Sequence, residues 1–172
     1  MTKNFDYADS LMKQLKTLAP IDNHTTKYLG KLLLEYRFRP HTNAIETINQ
    51  SNEIPALEED LRKAILNYYA LCENAKEREL ISNTQIQTKY ESYINEHYPE
   101  VFQKNSEWAF VIEFYKDNPR NIIELDRNSF RSDKQLEALG TSRYFQSEFL
   151  KNFYTSLLKF SEEILGKVEK LN

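Results

Sequence analysis

The sequence predicts an all-α fold, a bundle of long antiparallel helices, and three observations carry that prediction. Apolar residues recur three or four apart from about Pro55 to Tyr98 and again from about Ser132 to Leu171. Such spacing paints one face of a helix over many turns. The chain holds only 3 Gly and 5 Pro in 172 residues, few of the residues that punctuate sheets and tight turns. Hydrophobic residues make up 40% and charged residues 28%. Long amphipathic helices give that balance, because each shows only a stripe to its neighbours. A chain of this length reads as a single helical domain over 1–172, large enough to bury a core without staples.

The elements follow in order. From Phe5 to Leu18 a first helix sets Leu11, Leu15 and Leu18 on one face and stops before Pro20. Asp22 or Asn23 can cap a second, in which Tyr28, Leu29, Leu32, Leu33 and Tyr36 form a broad apolar face. This helix is expected to end near Phe38, because Pro40 disfavours helical geometry in Arg39. Thr42 caps a short third helix carrying Ile45 and Ile48, which Ser51-Asn52 breaks.

Pro55 suits the first turn of a fourth helix, where its missing N–H costs nothing. Its stripe runs through Leu57, Leu61, Ile65, Tyr68, Cys72 and Ala75, then Glu79, Ser82, Ile86 and Tyr90, toward His97. Unbroken, such a helix is on the order of 60 Å long at ~1.5 Å per residue. The middle of it, Glu73 to Thr88, is polar on most faces and is the expected place for a bend or break. Residues 100–128 are the irregular part. Trp108 to Tyr115 is a short apolar run that fits a buried helix or a strand, and a helix is favoured because no second strand exists to pair with it. Asn118-Pro119 opens another short helix. In the last helix Phe149, Phe153, Leu157, Phe160, Ile164, Val168 and Leu171 recur about every 3.7 residues, near an eleven-residue repeat and a nearly straight helix.

Charge and composition exclude several functions. A net charge of -3 and a pI near 5.7 argue against a nucleic-acid binder, which carries a basic face. One cysteine, Cys72, forms no internal disulfide and leaves the compartment open. No stretch approaches the ~20 apolar residues that span a bilayer, and no signal-peptide core follows Met1. The chain is therefore expected not to insert into a membrane by itself.

Chemistry is searched for next. Di-iron bundles need Glu-x-x-His pairs on two helices, but none of His24, His41 and His97 lies three residues after a glutamate. Zinc lacks a second cysteine and two histidines at helical spacing. No metal and no cofactor is expected. Cys72 lies on an apolar stripe, where a thiol acts as a small hydrophobe. Gly30, Gly140 and Gly166 are too scattered for a phosphate loop. The acidic run Glu58-Glu59-Asp60 is explained by the helix it opens. Carboxylates brought together by folding, such as Glu96, Glu100 and Glu113, are the remaining route to acid–base catalysis.

Tyr36-Arg37-Phe38-Arg39 with His41 is the one basic, aromatic-interleaved patch. It could grip a phosphate or carboxylate, or stack on a base. The favoured reading is that Tyr36 and Phe38 pack inward while both arginines pair with local acids at a helix C-terminus. The 11 Tyr and 10 Phe suit core edges and partner surfaces alike.

At Pro40 to Tyr69 a pattern emerges: Pro40-x-x-Asn43-Ala44-x-x-Thr47-Ile48-x-x-Ser51, Ile54, Leu57, then Leu61-Arg62-Lys63-x-Ile65-x-x-Tyr68-Tyr69. It resembles an uncharacterised family of Bacteroidota, small proteins with one N-terminal membrane helix followed by a helical domain. The aromatic-rich segment Phe145 to Tyr154, running into a long final helix, is similar too. The chain departs from the family in having Ser51-Asn52 for a Ser-Gly pair and in lacking the membrane helix. The resemblance implies a domain tethered on the periplasmic side of a membrane; without it a cytoplasmic one is expected. It carries no activity and no functional residue.

Together these readings predict a non-enzymatic helical interaction domain that binds a protein partner or self-associates. The alternative is a sensing domain for a small molecule or lipid, with a pocket between helices lined by Trp108, Phe110 and Phe114.

Overall fold

The computed structural model describes residues 2–17, 19–21, 24–40, 57–103, 113, 116 and 124–170. The protein is all-α, and no strand occurs among the described residues. Helix α1 is Thr2–Lys16 and α2 is Thr25–Lys31. Helix α3, Glu59–Gln85, runs into a π-wound segment, Ile86–Tyr90, and on into α4, Glu91–His97. Then come α5 (Glu100–Gln103), α6 (Arg127–Ser132) and the long α7 (Lys134–Glu169). The chain forms two compact units, Met1–Glu35 with Ser82–Glu148 and Tyr36–Ile81 with Phe149–Asn172.

The first unit holds the larger core. Ala8 and Leu11 of α1, Leu29 of α2, Tyr90 and Ile94, Val101 of α5, Phe130 of α6 and Leu136 of α7 are buried together. Within this unit Tyr93 reaches Asp133 while Ser82 reaches Arg143. Residue numbers rise on one helix as they fall on the other, so the two run antiparallel. The Asp126 carboxylate caps α6 through the Asn128 and Ser129 amides, and Asp133 caps α7 through the Leu136 amide at 2.8 Å.

The π-wound segment follows from the stripe it carries. Ser82, Ile86, Tyr90 and Ile94 are all buried and lie four residues apart, a step that overshoots an α-helical turn of 3.6 residues by about 40°. A turn closed by i→i+5 bonds takes up one more residue and returns the stripe to its face. The helix therefore changes winding at the end of its polar stretch instead of breaking there.

The second unit is thinner. Cys72 and Ala75 of α3 and Leu157 of α7 are its buried cluster, with Phe38, Tyr68, Leu71, Phe153 and Tyr154 packed around them. Glu79 opposite Tyr154, and Cys72 and Ala75 beside Leu157, make this helix pair antiparallel as well. Glu79 is buried here, accepting the Phe38 amide at 2.9 Å and the Tyr154 hydroxyl. Burial first, and the Glu79 carboxylate second, push the Tyr154 phenol up.

Two expectations are corrected. The second helix ends at Lys31, not near Phe38. Residues 34–40 carry no helix, because charged side chains take their backbone groups: Arg143 binds the Leu32 and Leu34 carbonyls and Glu79 the Phe38 amide. The stripe of α7 is kept only in part. Leu157 is buried and Phe153, Phe160 and Ile164 are half-buried, as expected, but Phe149 is 62% exposed and Val168 is exposed as well. Nearer the start of the helix the buried positions are Leu136, Gly140, Arg143, Ser147 and Leu150, alternating steps of four and three in a 3.5-residue repeat. Glycine at 140 lets α1 come close, since a Cβ there would lie 3.0 Å from Met12 Sδ. The expected helices over 42–50 and after Asn118-Pro119, and the Trp108–Tyr115 run taken whole, lie outside the described residues.

Candidate functional site

The chemistry of the first unit gathers around Arg143, a charged side chain only 3% exposed on the buried stripe of α7. Its Nε donates to the Leu32 carbonyl at 3.1 Å, one terminal nitrogen to the Leu34 carbonyl at 2.7 Å, and the other to the Ser82 hydroxyl at 2.7 Å. A guanidinium has only donors, so Ser82 accepts from Arg143. The Ser82 hydroxyl donates in turn to Gln146 Oε1 at 3.1 Å. Gln146 donates through Nε2 to the Gln85 carboxamide oxygen. The relay ends with the Gln85 amide nitrogen, a donor.

A cleft of about 260 Å³ opens beside this relay. The π-wound segment supplies Ile86, Lys89 and Tyr90 to its wall, and α7 supplies Gln135, Ala138, Leu139 and Ser142 along with Arg143 and Gln146. Tyr90 is fully buried, and that burial pushes its phenol up although the nearby Arg143 charge pulls the other way.

A second cluster in the same unit centres on Asp133. The Tyr93 hydroxyl donates to both its oxygens, at 2.8 and 2.7 Å, and the Tyr98 hydroxyl to one, at 2.5 Å. Burial alone would raise the Asp133 carboxyl, but the Leu136 amide and the two phenols together outweigh it and hold it below the usual range. The phenols move up, by burial first and by Asp133 next. Beside them lies a more open cleft of about 550 Å³ that takes in Glu96, Glu100, Glu124 and Asp126. Glu100 is 4% exposed, and burial pushes its carboxyl up.

The residues singled out in the sequence fall as follows. Tyr36 is buried and Phe38 packs into the Cys72 cluster, its ring 5.8 Å from that of Tyr154. Arg37 and Arg39 are exposed, while His41 lies outside the described residues, as do Trp108, Phe110 and Phe114. Cys72 is buried and its thiol pushed up by that burial. Glu96 and Glu100 share the open cleft, and Glu113 is exposed. Among the described residues no three metal-ligating side chains converge, and no helix is long and apolar enough to cross a membrane.

Arg143 and Gln146 were not picked out by sequence reading. Their signal was there: Arg143 and Ser147 keep the four-three spacing of Leu136, Leu150 and Leu157, but a hydrophobicity pattern passes over polar residues. No protein-family model, curated protein or solved structure matches the chain.

Proposed function

We propose that this protein is a non-enzymatic helical interaction domain that associates through the apolar flanks of its second unit, with a second copy of the chain as the partner. The carrying observation is the mismatch between core and surface there. Cys72, Ala75 and Leu157 form the buried cluster, while Leu66, Leu80 and Ile81 of α3 and Phe149, Leu158, Leu165 and Val168 of α7 stay exposed. Exposed apolar side chains that share one helix face mark an interaction surface. Leu158 and Leu165 are seven residues apart and share one side of α7, the spacing that packs against another helix. A second copy brings the same bare flanks, so one surface serves both partners of a two-fold pair. The family resemblance at Pro40 to Tyr69 supports the same reading, since it implies a helical domain without catalytic signatures.

Light scattering across a concentration series tests this. The expected result is a mass that rises toward the dimer with concentration. Leu158→Glu with Leu165→Glu should hold the protein at monomer mass with its helical circular dichroism intact. A native protein that stays monomeric throughout, and retains nothing in a crosslinked pull-down from its own cells, overturns the proposal.

A further inference from the structure

We propose that the cleft beside Arg143 is a binding site for a small organic anion, a carboxylate on a compact apolar body. This is independent of association through the second unit. Three observations converge on it. The described lining holds Arg143 and Lys89 and no aspartate or glutamate, in a chain whose net charge is -3. Lys89 is exposed, and among the described residues no carboxylate pairs with it. The relay from Arg143 through Ser82 and Gln146 engages the Gln85 carboxamide oxygen, so Gln85, a residue of the cleft wall, keeps its NH₂ donors. With Lys89 and Arg143 beside it, the lining offers N–H groups to an oxyanion.

The body of the ligand follows from the walls. Ile86, Ala138 and Leu139 give an apolar surface beside those donors. The volume of about 260 Å³ is that of roughly nine waters at ~30 Å³ each, which suits a carboxylate of similar atom count. The π-wound segment matters because it places Lys89 and Ile86 on one wall. Such turns are frequent at functional sites.

The experiment is a nitrogen-15 NMR titration of the full chain with benzoate, its neutral isostere benzamide, and inorganic phosphate. Benzoate should give saturable shifts at the backbone amides of 85–90 and 138–146 and at the Gln85 side-chain NH₂. Benzamide should bind about tenfold more weakly or worse, and Lys89→Glu should weaken benzoate by a similar factor. Equal affinity for benzoate and benzamide, or no saturable shift with benzoate, overturns the site. That comparison uses the native protein and does not depend on the variant folding. Phosphate matching benzoate at the same amides would overturn the assignment of an organic body.

Discussion

Arg143 donates to the Ser82 hydroxyl at 2.7 Å, joining side chains 61 positions apart in the sequence. The same guanidinium holds the Leu32 and Leu34 carbonyls, so one side chain fixes both the helix pairing and the path of the chain leaving α2. Arg143→Leu should cost about 3 kcal/mol or more, since hydrogen bonds to a charged group are worth ~1.5–3 kcal/mol each. Arg143→Lys keeps the charge but loses the fork, and should recover only part of the loss. Urea denaturation measures both, and hydrogen exchange at 32–36 should quicken in each. A stability within ~0.5 kcal/mol of native in Arg143→Leu would show the network to be idle.

Asp133 serves two phenols and a helix amide. Its carboxyl is held down in the folded state, so the stabilisation is full above the ordinary value of ~3.9 and is lost as pH falls through the folded value. Asp133→Asn should be about 1–2 kcal/mol less stable at pH 7, allowing for solvent screening. The gap should close on acidification. Melting curves from pH 7 downward check this, and a gap independent of pH would refute it.

Glu100 has the opposite sign. Burial raises its folded-state value, so the native protein binds the proton more tightly than the unfolded chain. Stability then declines as pH rises from the unfolded value of ~4.3 to the folded one, and the penalty is complete above it. Glu100→Gln should melt higher than native at pH 7 and at the same temperature below pH ~4. Lower stability at pH 7 would mean that the charge is favoured where it sits.

Two glycines of α7 should respond differently. Nothing lies within 4 Å of a Cβ built at Gly166, whereas one at Gly140 meets Met12 Sδ at 3.0 Å. Gly166→Ala should gain up to about 1 kcal/mol from helix propensity. Gly140→Leu should lose about 1–3 kcal/mol through overpacking against α1. Thermal melts of the two variants decide it, and similar shifts would contradict the packing described for α7.

The helical class was legible because the periodicity of Leu61, Cys72, Ala75 and Leu157 is a direct image of what these residues bury. The end of α2 was not, because the groups that stop it, Arg143 and Glu79, lie far along the chain and act only once it has folded. The first half of the α7 stripe was not legible for a related reason. Phe149 outweighs its neighbour Leu150 in any hydrophobic count, yet Leu150 is the buried one, and the positions that would have corrected the register are occupied by Gly140, Arg143 and Ser147. Of the candidate cleft only Ile86 and Tyr90, with the polar Ser82 of the relay beside it, stood on a recognised stripe. The rest is a hydrogen-bond relay, and no linear pattern encodes it.

The π-wound segment Ile86–Tyr90 gives the chain a tolerance found nowhere else along this helix. Removing one residue there would let the helix rewind as uninterrupted α, and nothing local would forbid it. Every residue beyond would keep its facing, because the wider turn already takes up that extra residue, and Tyr93 would still meet Asp133. A residue lost from a purely α-wound stretch instead turns all that follows by about 100° about the axis. Among divergent versions of this chain, 86–90 is where the helix should shorten by one residue without cost to the core.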